Sequence, residues 1–294
     1  MFCKQIDTKR NLLYTYTRHM KKFALLGHNI DYSLSPKIHG MVFEYLGIKA
    51  EYSLLSIAPE NLEKEKHKFL SLDGFNVTKP HKQSIIPFLD EVDNNCFGAV
   101  NTVVKHPFTT KGYNTDYLGF YECLATVHKE CNFNKYDIKD KTNALVLGAG
   151  GVARVVINAL KGYANVFIHN IIEKDAIDLA KEFNATAVCD KSGPYDIVIN
   201  CTSFGLNEGE NIADGVDFSK TKYAFDAIYF DTEFIKAANK KEVPFVENGL
   251  SMLVYQAIGA NMKFFPEHEK KLKEDMRKLA PKIIQEIKKD IKQS

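Results

Sequence analysis

The feature that most constrains the fold of this chain is a glycine-rich turn between an apolar segment and a helix-forming segment. Residues 144–147 read Ala-Leu-Val-Leu and predict a buried strand, and residues 148–153 read Gly-Ala-Gly-Gly-Val-Ala. A strand, then G-x-G-x-x-A, then a helix is the context that a dinucleotide-binding turn requires, because the glycines let a pyrophosphate approach the amino-terminal end of the helix. This pattern predicts a Rossmann-like unit. The residues expected to contact the cofactor there are Gly148, Ala149, Gly150, Gly151 and Val152.

Strand-like and helix-like segments alternate on both sides of this turn, which predicts an α/β fold with mostly parallel sheets. Before the turn, the predicted strands are 23–27, 52–57, 74–78 and 100–104, and the predicted helices are 37–46, 62–70 and 117–128. After it, the predicted strands are 165–169, 197–200 and 223–227, and the predicted helices are 152–161, 174–183, 232–240 and 249–264. A length of 294 residues is enough for two medium domains or one large one.

The carboxyl-terminal tail predicts a helix with one apolar face. Its apolar residues follow at spacings of four, three, four and four: Leu272, Met276, Leu279, Ile283 and Ile287. These spacings place them on one side of a helix. We expect a kink or a restart at Pro281, and a solvated face formed by the many lysines.

Composition and charge narrow the function classes. Hydrophobic residues make up 45% of the chain and charged residues 26%, and the formal net charge is +2. This charge is too small to favour nucleic acid or an acidic membrane as a partner, and no run approaches the roughly 20 apolar residues of a membrane span. Residues 1–22 lack the pattern of a secretory signal. We expect a flexible leader there, with an amphipathic targeting segment as the alternative.

The cysteines predict free thiols. Cys3, Cys96, Cys123, Cys131, Cys189 and Cys201 form no C-x-x-C pair and no zinc-like spacing. Buried free thiols are the default in a reducing compartment, so we expect a cytoplasmic protein that holds no metal. The sequence leaves the choice between a monomer and a homodimer open.

Three polar runs carry the residue types of a proton-transfer site. Residues 74–82 read Gly-Phe-Asn-Val-Thr-Lys-Pro-His-Lys, residues 98–102 read Gly-Ala-Val-Asn-Thr, and residues 112–116 read Gly-Tyr-Asn-Thr-Asp. A Lys82 amine beside an Asp116 carboxylate can deliver a proton to a carbonyl oxygen, as the reduction of a ketone to an alcohol requires. By spacing alone, Lys82 is more typical of a surface lysine. The alternative for Asn101 and Asp116 is that they are turn or cap residues.

Two pairs of polar residues have alternating spacing. Ser33 and Ser35 point the same way if their segment is extended, and they precede a predicted helix whose free N–H groups favour an anion. This suits a substrate carboxylate. The alternative is that Ser35 is only the N-cap of a helix whose first residue is Pro36. Residues 76–78 alternate in the same way at the end of a predicted strand.

Six runs stand in the order found in shikimate dehydrogenases, and residues 22–265 resemble that family. The runs are residues 33–36, 76–82, 98–102, 114–116, 148–153 and 249–256. The resemblance implies the reversible, NADP(H)-dependent reduction of 3-dehydroshikimate to shikimate, a step towards chorismate and the aromatic amino acids. It also implies that the helix at 249–264 crosses back to the first domain.

The resemblance assigns roles to individual residues. It implies that Lys82 is the general acid/base and that Asp116 pairs with it. The substrate-binding residues implied are Ser33, Ser35, Asn76, Thr78, Lys82, Asn101, Asp116, Tyr229 and Gln256. The further cofactor-binding residues are Asn170, Lys174, Gly249 and Met252. We place the domain boundary near residue 117, which gives a substrate-binding domain of residues 1–117 with 246–294 and a dinucleotide-binding domain of residues 118–245.

The choice between NADP and NAD stays open at one position. NADP-dependent members of the family usually have Asn-Arg-Thr after the second strand of the dinucleotide-binding domain, whereas this chain has Asn170 followed by Ile171. Lys174 or Arg154 is a candidate replacement for that arginine, and Glu173 would disfavour a 2′-phosphate. We expect NADP as the family default, with NAD as the alternative.

Three other functions stay open as alternatives. One is an NAD-dependent quinate/shikimate dehydrogenase, which Ile171 favours. The second is a folate-linked dehydrogenase of similar plan, against which the paired serines and residues 114–116 argue. The third is a non-catalytic metabolite-binding relative, which the presence of both Lys82 and Asp116 disfavours. His28, His39 and His81 are interpreted as structural residues.

Overall fold

The first sheet gathers its strands from the amino-terminal part of the chain. The computed structural model describes residues 20–127, 131, 142–207 and 209–291, and the strand order in this sheet is β2-β1-β3-β5-β6-β4. The strands are β1 (Lys21–Gly27), β2 (Ala50–Ser56), β3 (Gly74–Val77), β4 (Glu91–Val92), β5 (Thr102–Lys105) and β6 (Thr110–Tyr113). β1 is parallel to β2 and β3, and β4 to β6, whereas β5 is antiparallel to both of its neighbours.

Helices cover this sheet because their apolar residues recur on one side. They are α1 (Ser35–Leu46), α2 (Lys66–Leu70) and α3 (His81–Ser84). α1 buries Ile38, Val42 and Phe43 and ends where Gly47 takes the left-handed conformation, with φ at 67°. Under the other helices, Phe69, Phe75 and Ile85 belong to one apolar cluster. This packing holds the ends of β1 and β3 in place, where the site residues begin.

The second sheet is parallel throughout and doubly wound. Its strand order is β12-β11-β10-β7-β8-β9, and all of its pairings are parallel. The strands are β7 (Thr142–Leu147), β8 (Ala164–His169), β9 (Thr186–Ala187), β10 (Ile197–Asn200), β11 (Tyr223–Asp226) and β12 (Phe245–Asn248). The chain leaves β7 towards β8 on one side, whereas β10 lies on the other. Ligands of such sheets bind at this switch point, outside the carboxyl ends of the strands.

The helices of this half are α5 (Gly151–Leu160), α6 (Glu173–Phe183) and α7 (Glu233–Lys240). Preceding them is α4 (Asp116–Val127), and following them are α8 (Leu250–Phe264) and α9 (Glu269–Ile291). α8 packs along α4 and α1, and α9 packs along α8. Two bonds fix this arrangement: Asn261 Nδ2 lies 2.9 Å from His39 Nδ1, and Arg277 Nε donates to Glu122 Oε2 at 2.9 Å. The predicted return of the carboxyl-terminal helices to the first sheet is therefore confirmed.

The structure differs from several local predictions. The predicted apolar face of α9 is buried, but the helix runs through Pro281 without a restart. The N-cap of α1 is Leu34 and not Ser35, whose side chain makes no capping bond. Cys96 and Cys123 are buried free thiols as expected and Cys201 is partly buried, whereas Cys189 is exposed and its Sγ lies 3.2 Å from Glu173 Oε1.

Other predictions fall outside the described residues or concern boundaries. Residues 1–19 of the expected leader, Cys3 and most of the polar stretch 129–141 lie outside the described residues, and Lys21–Gly27 is already strand. Because β12 pairs with β11, we propose that the cofactor-binding unit extends through Asn248. Within the described ranges, the helices are all too short or too polar to cross a membrane.

Candidate active site

A cavity lies between the two sheets, at the carboxyl ends of their parallel strands. Its volume is about 200 Å³. The first sheet contributes the loops after β1 and β3, and the second half contributes the loop after β11 and the first turns of α8. Every residue that the sequence predicted to bind the substrate lines this cavity: Ser33, Ser35, Asn76, Thr78, Lys82, Asn101, Asp116, Tyr229 and Gln256.

An ion pair of Lys82 and Asp116 forms the polar centre of the cavity. The β3 strand ends before Pro80, which redirects the chain into α3, and Lys82 is the second residue of that helix. Its Nζ lies 2.5 Å from Asp116 Oδ2, and the two side chains are only 17% and 9% exposed. Asp116 begins α4, where the helix N-terminus favours a negative charge. A largely buried amine held by a carboxylate can give and take a proton at an oxygen in the cavity.

Asn101 holds the carboxylate from the other side. Its Nδ2 donates to Asp116 Oδ1 at 2.8 Å, and its Oδ1 accepts from the backbone N–H of Thr115 at 2.8 Å and from the Thr102 hydroxyl at 2.9 Å. These bonds fix the amide with its nitrogen towards Asp116. Thr102 and Thr115 were missed as site residues, although both stand inside the runs that the sequence singled out.

A second chain of buried groups supports Asn76. Its Nδ2 donates to Thr102 Oγ1 at 2.9 Å and to Asn101 O at 3.2 Å, and its Oδ1 accepts from Tyr52 OH at 2.7 Å. The Tyr52 ring stacks on His39, with centroids 4.0 Å apart. Asn76 thus uses both of its N–H groups within the protein, which leaves one Oδ1 lone pair for a ligand.

The histidines lie outside the lining of the substrate cavity. Burial lowers the pKa of His39 to about 3, against a smaller opposing effect of its bond with Asn261. His81 Nε2 lies 2.7 Å from Ile57 O, and His28 is half-buried. None of the three lines the cavity among the described residues, in agreement with their structural interpretation.

Two serines and a tyrosine form the entrance side of the cavity. Ser33 Oγ lies 3.2 Å from Ser35 Oγ and accepts the backbone N–H of Ser35 at 3.2 Å. Tyr229, from the loop after β11, donates to Tyr32 O at 3.4 Å, and burial raises the pKa of its hydroxyl to about 12. The two serine hydroxyls and the phenol therefore come from both halves of the molecule and line one cavity.

Gln256 approaches the same centre from α8. Its Nε2 donates to Leu253 O at 2.9 Å, and its Oε1 lies 3.4 Å from both Asn101 Nδ2 and Thr115 Oγ1. The resemblance implied that Gln256 binds the substrate, and in the structure its side chain is turned inward to the cavity. Gly249 and Met252, predicted for the cofactor, line this cavity as well.

The glycine-rich turn opens into two larger cavities beside this one, with volumes of about 600 Å³ and about 410 Å³. The larger is lined by all five predicted residues of the turn and by Asn170. Gly148 has φ at +107°, and a Cβ there would lie 2.9 Å from Thr202 Cγ2, whereas a Cβ on Gly150 would point into open space. A Cβ on Gly151 would lie 3.7 Å from Lys82 Cδ. This bare cradle at the start of the ten-residue helix α5 fits the pyrophosphate of a dinucleotide, and it lies beside the stem of Lys82.

Comparisons with known proteins agree with this geometry. A family model described as the shikimate dehydrogenase substrate binding domain matches residues 25–103. A curated shikimate dehydrogenase (NADP(+)) of Dictyoglomus turgidum is 37% identical over 263 residues, with 83% of this chain and 92% of that protein covered. The chain belongs to the shikimate dehydrogenase family.

Solved structures of the family share the fold. Shikimate dehydrogenase from Aquifex aeolicus superimposes with a TM-score of 0.75 at 34% identity, covering 83% of this chain and 92% of that one. Shikimate 5-dehydrogenase from Thermus thermophilus, solved in complex with NADP(H) and shikimate, superimposes with a TM-score of 0.73 at 32% identity, covering 83% and 93%. The predicted family and the two-domain fold class are confirmed.

The residue that departs from the family pattern is Ile171. It lines the smaller of the two cavities around the turn and is 78% exposed. Lys174 does not line either cavity around the turn; it pairs with Asp178 at 2.5 Å and its side chain is 81% exposed. Arg154 pairs with Glu182 and lies over the Phe183 ring. A role of Lys174 in cofactor binding therefore stays a prediction.

Proposed function

We propose that this chain is an NADP-dependent shikimate dehydrogenase, which interconverts 3-dehydroshikimate and shikimate. The observation that carries this proposal is the Lys82–Asp116 pair, half-buried in a cavity beside the glycine-rich turn. The curated relatives are NADP-dependent shikimate dehydrogenases, and a relative has been solved with NADP(H) and shikimate together. The proposed enzyme is therefore an oxidoreductase that acts on a CH–OH group.

We assign the proton transfer to Lys82. Its amine is held by a carboxylate on one side and faces the cavity on the other, so an ammonium there can protonate a ketone oxygen as that oxygen gains charge. In the reverse direction the neutral amine removes the proton of the alcohol. Asp116 stabilises the ammonium, and each of its carboxylate oxygens keeps an acceptor site for a ring hydroxyl. Removal of the amine should therefore affect kcat more than substrate binding.

The remaining cavity residues match the other groups of the substrate. Shikimate carries a carboxylate, and the hydroxyls of Ser33 and Ser35 stand beside the free N–H groups of α1, where an anion is favoured. Asn101, Asp116 and the open lone pair of Asn76 lie deeper and suit ring hydroxyls. Thr78, Tyr229 and Gln256 complete the wall. The carboxylate thus lies towards the serines and the reacting carbon towards the glycine-rich turn.

The turn and the start of α5 would hold the pyrophosphate of NADP. When bound, the cofactor supplies the hydride for reduction and accepts it in oxidation. Gly151 lies against the stem of Lys82, so the residues that transfer the proton are next to the cofactor cradle. Because the substrate cavity is lined by both halves of the molecule, movement of one half against the other would gate access. We propose that the enzyme acts in the cytoplasm; a monomer or a homodimer stays a prediction.

One observation favours the NAD-dependent quinate/shikimate reaction as a second candidate, namely the exposed Ile171 where family members have arginine. Both candidates are tested by initial rates of reduced-cofactor formation, with shikimate and quinate each paired with NADP and NAD. We expect the highest kcat/KM for shikimate with NADP. A preference for NAD or quinate would support the second candidate, and binding of shikimate without turnover under any pairing would mean that the chain is a non-catalytic relative.

A further inference from the structure

The cofactor cleft has little positive charge for a ligand that carries several phosphate charges. Among the described residues that line the two cavities around the glycine-rich turn, the lysines and arginines are Lys79 and Lys82 alone. Lys82 already pairs with Asp116. Lys79 makes no ion pair within the described part of the chain, so it is the available cation on these walls.

The backbone around Lys79 is held firmly. Thr78 N donates to Leu26 O at 2.8 Å, His28 N donates to Lys79 O at 3.4 Å, and His81 N donates to Thr78 O at 2.9 Å. The side chain projects from this fixed point of the first half towards the second half. It lines the substrate cavity and both cavities around the turn. A single side chain therefore borders all three cavities.

The charged and polar groups around Lys79 leave its amine available to bind an anion. Lys79 is exposed overall, but partial desolvation lowers the pKa of its amine, and the nearby Glu210 carboxylate opposes this effect only in part. The Glu210 carboxylate is itself fixed by the backbone N–H groups of Gly205 at 2.8 Å and Asn207 at 3.2 Å and by Asn207 Nδ2 at 2.7 Å. It lines the smaller cavity together with Lys79, and no salt bridge joins the two within the described residues.

The two cations considered from the sequence are already engaged. Arg154 contacts Glu182 and the face of Phe183, and Lys174 contacts Asp178 in solvent. We propose that Lys79, supplied by the substrate-binding half, is the cation that binds a phosphate group of NADP across the cleft. This inference rests on the proposed function. It explains how the chain can bind NADP with isoleucine at position 171, and it couples cofactor affinity to the approach of the two halves.

The test is direct binding rather than turnover. Dissociation constants of NADPH and NADH are measured by titration calorimetry on the full chain and on the variants Lys79→Met, Lys79→Arg and Lys174→Ala, with circular dichroism and thermal melting to verify that each variant is folded. Methionine keeps the apolar stem of Lys79 and removes the charge, and arginine keeps the charge. The Lys174 variant removes the same charge from a residue that lines neither cavity around the turn.

We expect Lys79→Met to weaken NADPH binding roughly 10- to 100-fold, as for a lost charge-assisted bond, and Lys79→Arg to restore most of the affinity. If only NADPH is weakened, Lys79 binds the 2′-phosphate; if NADPH and NADH are weakened alike, it binds the pyrophosphate. Unchanged NADPH binding by folded Lys79→Met, or a loss seen only with Lys174→Ala, would overturn the inference while leaving the proposed function intact. A wild-type chain that binds NADH but not NADPH would overturn the proposed cofactor and this inference together.

Discussion

The two halves of the cleft recognise their ligands by different means. On the substrate side, polar side chains hold one another: Asn101 bonds to Asp116, Thr102 and Thr115, and Asn76 bonds to Tyr52. On the cofactor side, the glycine-rich turn presents bare backbone, and a Cβ on Gly150 would point into open space. A network of side chains fails when one member changes, whereas a backbone cradle tolerates substitution nearby. Every predicted substrate residue lines the substrate cavity, whereas on the cofactor side position 171 departs from the family pattern.

The strongest test of the substrate side is Lys82→Ala. Because Lys82 is the proposed proton donor, we expect kcat to fall on the order of 10²- to 10⁴-fold, with a smaller change in the shikimate dissociation constant. Steady-state rates and shikimate binding by calorimetry measure the two effects separately.

The matched control for this change is Lys66→Ala. Lys66 is an exposed lysine paired with Glu63 within one short segment, and its removal should leave kcat unchanged. If Lys82→Ala retained the wild-type kcat, proton transfer would have to be assigned to another group, and the substrate side would be a binding site only.

The sequence predicted which residues line the cavity better than it predicted the hydrogen bonds and contacts between them. Lys82 and Asp116 stand in short runs with unusual residue types, and such runs can be recognised locally. The support from Tyr52, His39 and Asn261 depends on contacts between distant segments, and nothing in the sequence pairs residue 39 with residue 261. Strand β4 was missed because two exposed residues carry no periodicity, and strand β12 because it is partly buried throughout.

The continuation of α9 through Pro281 also depends on contacts between segments that are distant in the sequence. A proline lacks the backbone donor and favours a restart when a helix stands alone. In this chain Leu272, Leu279 and Ile283 are buried on both sides of Pro281, and packing against α8 outweighs the lost bond. Tertiary contacts of this kind cannot be read from the local pattern.

A second prediction concerns the acid stability of the substrate half. His39 is held neutral, with a pKa of about 3 when folded, against about 6.5 when unfolded. The stability that this contributes is complete above pH 6.5, and it falls as the pH drops towards 3 because the unfolded chain then binds one more proton. Between pH 7 and pH 5 we expect a loss of about 2 kcal/mol from this residue. Urea unfolding at both pH values measures it.

Comparison with His39→Phe isolates this contribution. Phenylalanine keeps an aromatic ring against Tyr52 but cannot bind a proton, so its stability should depend less on pH, even if the variant is weaker at pH 7. His67→Gln removes an exposed histidine and should keep the wild-type pH dependence. Equal slopes in wild type and His39→Phe would show that His39 does not govern acid sensitivity.

A third prediction restores the family residue on the cofactor side. Ile171→Arg places a guanidinium at the exposed end of the smaller cavity, where it can form paired bonds with a 2′-phosphate. We expect NADPH affinity to rise roughly tenfold, about 1.4 kcal/mol, with NADH affinity unchanged. Titration calorimetry with both cofactors measures this. An equal gain for NADH would place the new charge near the pyrophosphate, and no gain would locate the 2′-phosphate elsewhere.

The smallest expected effect tests how far the substrate network extends. Tyr52→Phe removes the hydroxyl that donates to Asn76 Oδ1 at 2.7 Å, and the ring still stacks on His39. We expect a loss of about 1 kcal/mol in unfolding free energy and a modest rise in the shikimate KM, with kcat unchanged, because Asn76 keeps its other bonds but loses its fixed orientation. Tyr45→Phe makes the same change on the surface, where the hydroxyl bonds to Asp275, and should leave KM unaltered. If both variants left the shikimate KM unaltered, the side-chain network that affects substrate binding would end at Asn76. The contrast between the two halves of the cleft would then be confined to the residues that line the substrate cavity.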